Sequence, residues 1–234
     1  MTDSSEWQGD VGQIWADHWH ATDLSFSQLT RYLVEHILDY PFTRALDVGS
    51  GAGEVSIRIA GDQPETDILG IDISPALVET ARIRSDLLAN VDFVVGDASC
   101  WNGSRHGELW QPDMIMSRHG VMFFADPVQA FSNLHKNASD HAHLVFSCFR
   151  TRKDNIWASA VASLLPPGSG PDPDDNAPGP FAFARQDYVR TILSISGWKN
   201  ITFEPIDYFH IAGRGKNALD DAIAFYSSIG PAAA

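Results

Sequence analysis

Basic residues are scarce in this sequence. Sixteen Lys and Arg stand against thirty Asp and Glu, a formal net charge of -14 over 234 residues. A nucleic-acid interface needs clustered cations to displace counterions from phosphates, and an anionic membrane surface needs them for a related reason. The charge balance argues against both partners, and a solvated acidic surface absorbs the excess. Cysteine is rarer still. Cys100 and Cys148 are the whole complement, and neither stands in a C-x-x-C or zinc-like spacing. A disulfide framework is excluded, and the expected compartment is the reducing cytoplasm. No apolar run approaches the ~20 residues that span a bilayer. The opening MTDSSEWQGD has no basic region leading into an apolar one, so no signal peptide is expected. There is no internal repeat and no metal-ligand set.

What remains is a chain with 44% hydrophobic residues, long enough for one domain with a full core. Residues 1–22 hold Trp7, Trp15 and Trp19 among polar neighbours. Ser25 and Gln28 have the spacing of a capping box, with Leu24 and Leu29 as its hydrophobic staple, so a helix is expected to start there and end before Pro41. From Arg44 strands and helices alternate. Short apolar strands are expected at Ala45–Val48, Ile68–Ile71, Val91–Val95, Met114–Met116 and Leu144–Cys148. Ser74-Pro75 and Asp126-Pro127 read as helix starts, with Pro at the first helical position. The apolar and aromatic residues of Ile201–Ile211 suit further strands. This alternation predicts an α/β fold: a doubly wound, mainly parallel, seven-stranded sheet with helices on both faces.

Four segments follow: an N-terminal helical cap over 1–40, a cofactor-binding α/β core over 41–150, a substrate-side insertion over 151–198, and C-terminal strands and a helix over 199–234. The insertion contains PPGSGPDPDDNAPGP at 166–180, too long and polar for a tight turn. It reads either as a lid or as a plain surface loop. Phe181 and Phe183 directly after it favour the lid.

Ligands of open parallel sheets bind beyond the carboxyl ends of the strands. There the sequence reads Asp47-Val-Gly49-Ser50-Gly51-Ala-Gly53. A dinucleotide fingerprint would place its third glycine at 54, where Glu54 stands instead, an awkward neighbour for a pyrophosphate. Asp72 ends the second strand, where a carboxylate can accept both hydroxyls of a ribose. Asp97 ends the third and suits an adenine amino group. Carboxylates at 47, 72 and 97 repel one another, and a cationic, hydroxyl-bearing ligand is a reason to assemble them. Each also has a local alternative: Asp47 capping its loop, Asp72 capping the next helix, Asp97 shaping a turn.

With ALDVGSGAGE, LGIDIS, FVVGDA and MIMSRHGVMFFADP on the page, the chain resembles the class I S-adenosylmethionine-dependent methyltransferases, in a bacterial subgroup acting on small molecules. The N-terminal tryptophans and Gly179-Pro180-Phe181 extend the likeness over nearly the whole chain. The resemblance implies a Rossmann-like sheet and S-adenosylmethionine as cofactor. Asp47 and the Gly49–Gly53 loop would face its methionine part, with Ser50 and Gly51 inside that loop. Asp72 would hold the ribose, Ile73 the adenine face, and Asp97 with Ala98 the adenine edge. Ser117, Arg118 and His119 would line the floor toward the substrate. The Pro-Gly-Gly often found before the fifth strand is replaced here by Lys136–Ala142, KNASDHA.

The expected function is methyl transfer by direct displacement to an oxygen, nitrogen or carbon of a small-molecule acceptor. His119 is the candidate general base, since a histidine can titrate near neutrality; packing is its other role. Arg118 would orient an anionic substrate or pair with one of the three crowded carboxylates. His18 and His20 would reach the site only if the N-terminal segment folds over it. Nucleic-acid amino methyltransferases often carry Asn/Asp-Pro-Pro-aromatic where this chain has Ser117-Arg118-His119-Gly120. A non-catalytic cofactor-binding protein and a nicotinamide-dependent oxidoreductase are the competing readings. The acceptor stays open, as does the oligomeric state, monomer or homodimer.

Overall fold

The protein is represented by a computed structural model that describes residues 4–164 and 177–229. Most of the expected lid, residues 166–176, lies outside them. Four helices come first: α1 (Ser4–Gln8), α2 (Asp10–Asp17), α3 (Trp19–Ser25) and α4 (Ser27–Leu38). The alternating part follows as β1 (Arg44–Val48), α5 (Glu54–Asp62), β2 (Asp67–Asp72), α6 (Pro75–Arg84) and β3 (Val91–Val95). A two-stranded antiparallel hairpin, β4 (Ser104–Arg105) and β5 (Glu108–Leu109), interrupts it. Then come β6 (Met114–Arg118), α7 (Pro127–Asn137), β7 (His143–Ser147), α8 (Ile156–Leu164), α9 (Gln186–Ile195) and α10 (Ala218–Ser228).

The main sheet is all parallel, in the order β3-β2-β1-β6-β7. Its strands are buried on both faces, which is why they read as near-continuous apolar runs. Leu46, Val48, Leu69, Ile71 and Ile115 point to one side, where Phe131 and Leu134 of α7 and Ile192 of α9 meet them. Ala45, Ile68, Met114 and Met116 point to the other, against Leu33 and Ile37 of α4, Ile59 of α5 and Val78 of α6. The period of two along each strand sorts the core into these two layers. Two helix starts have the expected chemistry. Ser74 Oγ accepts from the Leu77 N–H and Asp126 Oδ1 from the Gln129 N–H, each with Pro inside the first turn.

Two expectations do not hold. The sheet has five strands among the described residues, not seven. Residues 201–211 are extended but form no ladder with β7. Their backbone groups bond elsewhere: Arg190 Nη1 donates to the Ile201 carbonyl, the Phe209 N–H donates to Gln28 Oε1, and the Ile211 N–H and carbonyl meet the Ser25 carbonyl and hydroxyl. The same contacts undo the capping box. Ser25 Oγ donates to Ala21 O and Ile211 O, and α4 begins two residues later with no side-chain cap. Among the described residues no helix is long and apolar enough to cross a membrane.

Phe131 is fully buried and faces Phe124, Phe146 and Phe183 across one core layer. Phe131→Ala is expected to lower stability by about 3–5 kcal/mol, read from denaturant midpoints at constant slope. A loss below about 1 kcal/mol would mean that this layer is not close-packed.

Candidate functional site

The loop after β1 is built by three glycines in left-handed conformation, with φ of 65° at Gly49, 55° at Gly51 and 85° at Gly53. Two of them also permit close approach. A Cβ on Gly49 would meet Gly120 Cα at 2.8 Å, and one on Gly53 would meet the Phe93 ring at 2.8 Å. Gly51 faces open space, with nothing within 4 Å of the same point. The loop is tied to β2 by bonds from the Gly49 and Ser50 N–H groups to Ile71 O. The hydroxyl of Ser50 is buried and has no hydrogen-bond partner among the described residues.

Asp72 lies at the end of β2, almost wholly buried. Its Oδ2 accepts from the Gly51 N–H at 2.8 Å and its Oδ1 from the Ser74 N–H at 2.9 Å. Burial holds its pKa above the usual carboxylate range against these bonds. Asp47, on β1, accepts from Ser56 Oγ at 2.7 Å, and burial raises its pKa to about 6. Asp72 raises it further, while Arg118 opposes the shift. Ile73 is half-buried just past Asp72. Asp97 is exposed and accepts from the Ser99 N–H in a 3-10 turn that buries Ala98. Its turn-forming role is therefore present. Asp47 and Asp72 share a buried crevice, while Asp97 stands on the surface.

On the β6 side, Ser117 is fully buried. Its hydroxyl donates to Val48 O and accepts from the Gly120 and Val121 N–H groups. That side chain braces β6 to β1 and has no surface left for a ligand. Arg118 donates to Thr30 Oγ1 at 2.8 Å and pairs with Asp23 at 3.5 Å. Its ion pair is with Asp23 of α3 and not with Asp47, Asp72 or Asp97, the crowded carboxylates expected as its partners. His119 has φ of 65°, rare outside glycine. Its ring stacks on Phe149 at 4.1 Å and meets Phe26 edge-on. Its Nδ1 lies 3.5 Å from Ser147 Oγ, and its Nε2 is enclosed without a partner among the described residues. Burial, and then the Arg118 charge, push its pKa down to about 3. The expected titration near neutrality does not hold: the ring is neutral at physiological pH and a weak base.

Sequence reading missed how the N-terminal helices reach this crevice. Asp23 on α3 pairs with Arg84 at 2.7 Å and with Arg118. Arg84 also donates to Ala52 O in the glycine loop and to Glu54, and lies 3.7 Å over the Trp19 ring. One carboxylate thus links the cap to both sides of the crevice. Gly12 lets α2 lie against the turn after β2, since a Cβ there would meet Ser74 Oγ at 2.2 Å. Trp7 packs on Trp15 and on Phe123 just past β6. His20 is exposed and stacked on Trp19, with no hydrogen bond or ion pair to the glycine loop or to Asp72 among the described residues. Glu54 shares Arg84 with Asp23, so one guanidinium faces two carboxylates.

An open left-handed glycine stands at the strand ends with its N–H donating to a buried carboxylate, and the hydroxyl of the preceding Ser50 is buried without a partner among the described residues, a set that fits a nucleoside cofactor. Residues 41–166 match the model of the methyltransferase-domain family. The chain belongs to that family, whose cofactor is S-adenosylmethionine. It is 34% identical over 82 residues to a trans-aconitate 2-methyltransferase of Methylobacterium radiotolerans, covering 35% of this chain and 28% of that one. It is 45% identical over 122 residues to a tRNA (guanine-N(7)-)-methyltransferase of Synechococcus, covering 42% and 51%. The chain thus spans about half of one relative's length and under a third of the other's. In fold it resembles Haemonchus contortus phosphoethanolamine N-methyltransferase 2 solved with S-adenosylmethionine, with a TM-score of 0.56 at 14% identity over 84% of this chain and 44% of that one.

The raised pKa of Asp47 makes a prediction about stability. The folded chain keeps a proton that the unfolded chain releases between the ordinary pKa of 3.8 and about 6. Stability therefore falls as pH rises through that window and stays lowered above it. Asp47→Asn keeps an acceptor for Ser56 and removes the charge. Urea unfolding should find it more stable than the parent at pH 7, by up to about 3 kcal/mol, with the difference vanishing near pH 4. Equal stability at pH 7 would show that the carboxylate is compensated.

Proposed function

We propose that the chain transfers a methyl group from S-adenosylmethionine to a small-molecule acceptor by direct displacement. The observation that carries this reading is the crevice at the ends of β1 and β2. There Gly51 leaves open space, Ser50 keeps an unpaired buried hydroxyl, and Asp72 holds a buried carboxylate. The cofactor supplies a methyl group already activated on a sulfonium. The protein's work is alignment and exclusion of water. Asp72 accepts the ribose hydroxyls, Ile73 and Ala98 flank the adenine, and Asp97 at the rim meets its edge. Asp47 and the glycine loop face the cationic end, where one buried carboxylate is already disposed to hold a proton. Arg118, fixed by Asp23 and Thr30, positions the wall behind His119. His119 serves as a neutral hydrogen-bonding group toward the acceptor. A net charge of -14 supports a small acceptor over a polyanion.

Thermal unfolding with S-adenosylmethionine, S-adenosylhomocysteine or NAD tests the reading. At ~100-fold over its dissociation constant, a ligand stabilises by about 2.7 kcal/mol, or roughly 5–10 °C for a domain of this size. Both sulfur nucleosides should give that shift and NAD none. Asp72→Asn, which keeps the shape of the side chain, should weaken S-adenosylhomocysteine at least tenfold without loss of cooperative unfolding. A shift with NAD alone would overturn the proposal. Unchanged affinity in the variant would remove the ribose assignment.

A further inference from the structure

Beside the crevice lies a cavity of ≈ 2070 Å³ between the free edge of β7 and the extended chain after α9. Its inner end is lined by His119, Phe149, Trp157, Tyr208, His210 and Tyr226. These rings wall one another. Phe149 stacks on His119 and meets Trp157 at 5.5 Å, Trp157 lies near-parallel to His210 at 5.5 Å, and Tyr226 lies near-parallel to His210. The wall therefore presents ring faces and edges, a surface suited to a flat apolar guest.

Its polar atoms narrow the guest further. His119 Nε2 and Trp157 Nε1 are both enclosed and have no hydrogen-bond partner among the described residues. Buried polar groups are normally paired, and two orphans among the side chains that line the cavity mark places where a ligand can complete the bonding. The indole N–H only donates. His119 Nδ1 lies 3.5 Å from Ser147 Oγ, and in the tautomer with the proton on Nδ1 its Nε2 is an acceptor. A hydroxyl can accept from the one and donate to the other. A carboxylate cannot donate, and an ammonium cannot accept.

Charge points the same way. Burial keeps His210 near a pKa of about 4, so neither histidine of the wall is cationic at neutral pH. Arg118 is already held by Asp23 and Thr30. Farther out, the cavity is lined by six carboxylates against Lys136, Arg150 and Lys199, and Arg150 is paired with Asp207. Lys136 and Lys199 have no ion pair among the described residues, so an anionic guest would find its cations in the outer part; the six inner side chains include no Lys, no Arg and no carboxylate.

We infer that this inner wall is the acceptor site and that it takes an uncharged aromatic hydroxyl compound, lying on the ring faces with its hydroxyl bonded to His119 Nε2 and Trp157 Nε1. The inference rests on the methyltransferase reading and adds a substrate class that differs from the acceptor named for the trans-aconitate relative.

Three probes with one ring system separate the charge classes: 2-naphthol, 2-naphthoate and 2-naphthylmethylammonium. Their binding is measured by calorimetry near pH 7, on the protein saturated with S-adenosylhomocysteine and on the protein without it. 2-Naphthol should bind at least tenfold tighter than either charged probe. Trp157→Phe keeps a ring and removes the N–H, and should weaken 2-naphthol by about tenfold while S-adenosylhomocysteine binds as before. Either charged probe binding as tightly as 2-naphthol, or none of the three binding, would overturn the inference. Unchanged 2-naphthol affinity in Trp157→Phe would overturn the placement of the hydroxyl. If S-adenosylhomocysteine binds and 2-naphthol does not, the substrate class alone fails. If S-adenosylhomocysteine does not bind, the methyltransferase reading fails.

Discussion

The backbone contact between Gly49 and Gly120 is the constraint on which the site depends. The turns after β1 and β6 touch with no side chain between them, and a Cβ on either glycine would collide with the other turn. Ser117 secures the contact from beneath by bonding to Val48 O on one side and to two N–H groups of its own turn on the other. Parallel strands adjacent in a sheet place their following loops side by side, but only glycine lets the loops meet at this distance. His119 is carried into its left-handed conformation by the same turn. The wall beside the crevice is thus set by the glycine loop, because the two turns form one rigid piece.

A second layer of order comes from charge. Asp47, Asp72 and Glu54 are all held above the ordinary carboxylate range, chiefly by burial. Raised acid pKa values mean that folding carries an electrostatic cost at neutral pH. Arg84 and Arg118 offset part of it, and Asp23 joins the two arginines to one helix of the cap. A group inside such a network matters more than an exposed pair would, because breaking it leaves a buried charge without a partner. The cap is therefore coupled to the cofactor loop through Arg84 and Ala52 O. On the proposed function, a cationic ligand would relieve the same repulsion between the buried carboxylates.

Much of this was legible in the sequence because the signals are local. Apolar runs three to five residues long, alternating with helix starts such as Ser74-Pro75 and Asp126-Pro127, mark out the strands of the parallel sheet. The glycines at 49, 51 and 53 read directly as a tight loop at a strand end, and all three have positive φ. What was not legible depends on partners distant in sequence. Asp23 and Arg84 are 61 residues apart, and nothing near either announces the other. Ser25 and Gln28 show the limit well. Their spacing says capping box, yet in the fold they receive the chain at 209–211, some 180 residues on. Composition then misled at Ile201–Ile211: residues suited to strands were bonded to a helix, a serine and a glutamine before any sheet edge could pair with them.

His119 joins these threads. Its position after β6 is what made it a candidate base, and position was read correctly: it borders the turn that meets the glycine loop. Protonation was not, because a pKa is set by surroundings that one sequence does not display. Phe149 and Phe26 exclude water from the ring, and Arg118 beside it opposes a second positive charge. On the proposed function, a neutral imidazole beside a cationic cofactor is physically consistent, since a charged one would repel the ligand. Displacement on an already activated methyl group asks less of a base than of alignment. A dry aromatic wall with one fixed acceptor nitrogen supplies alignment, and the same dryness that removes His119 as a strong base makes its hydrogen bond selective.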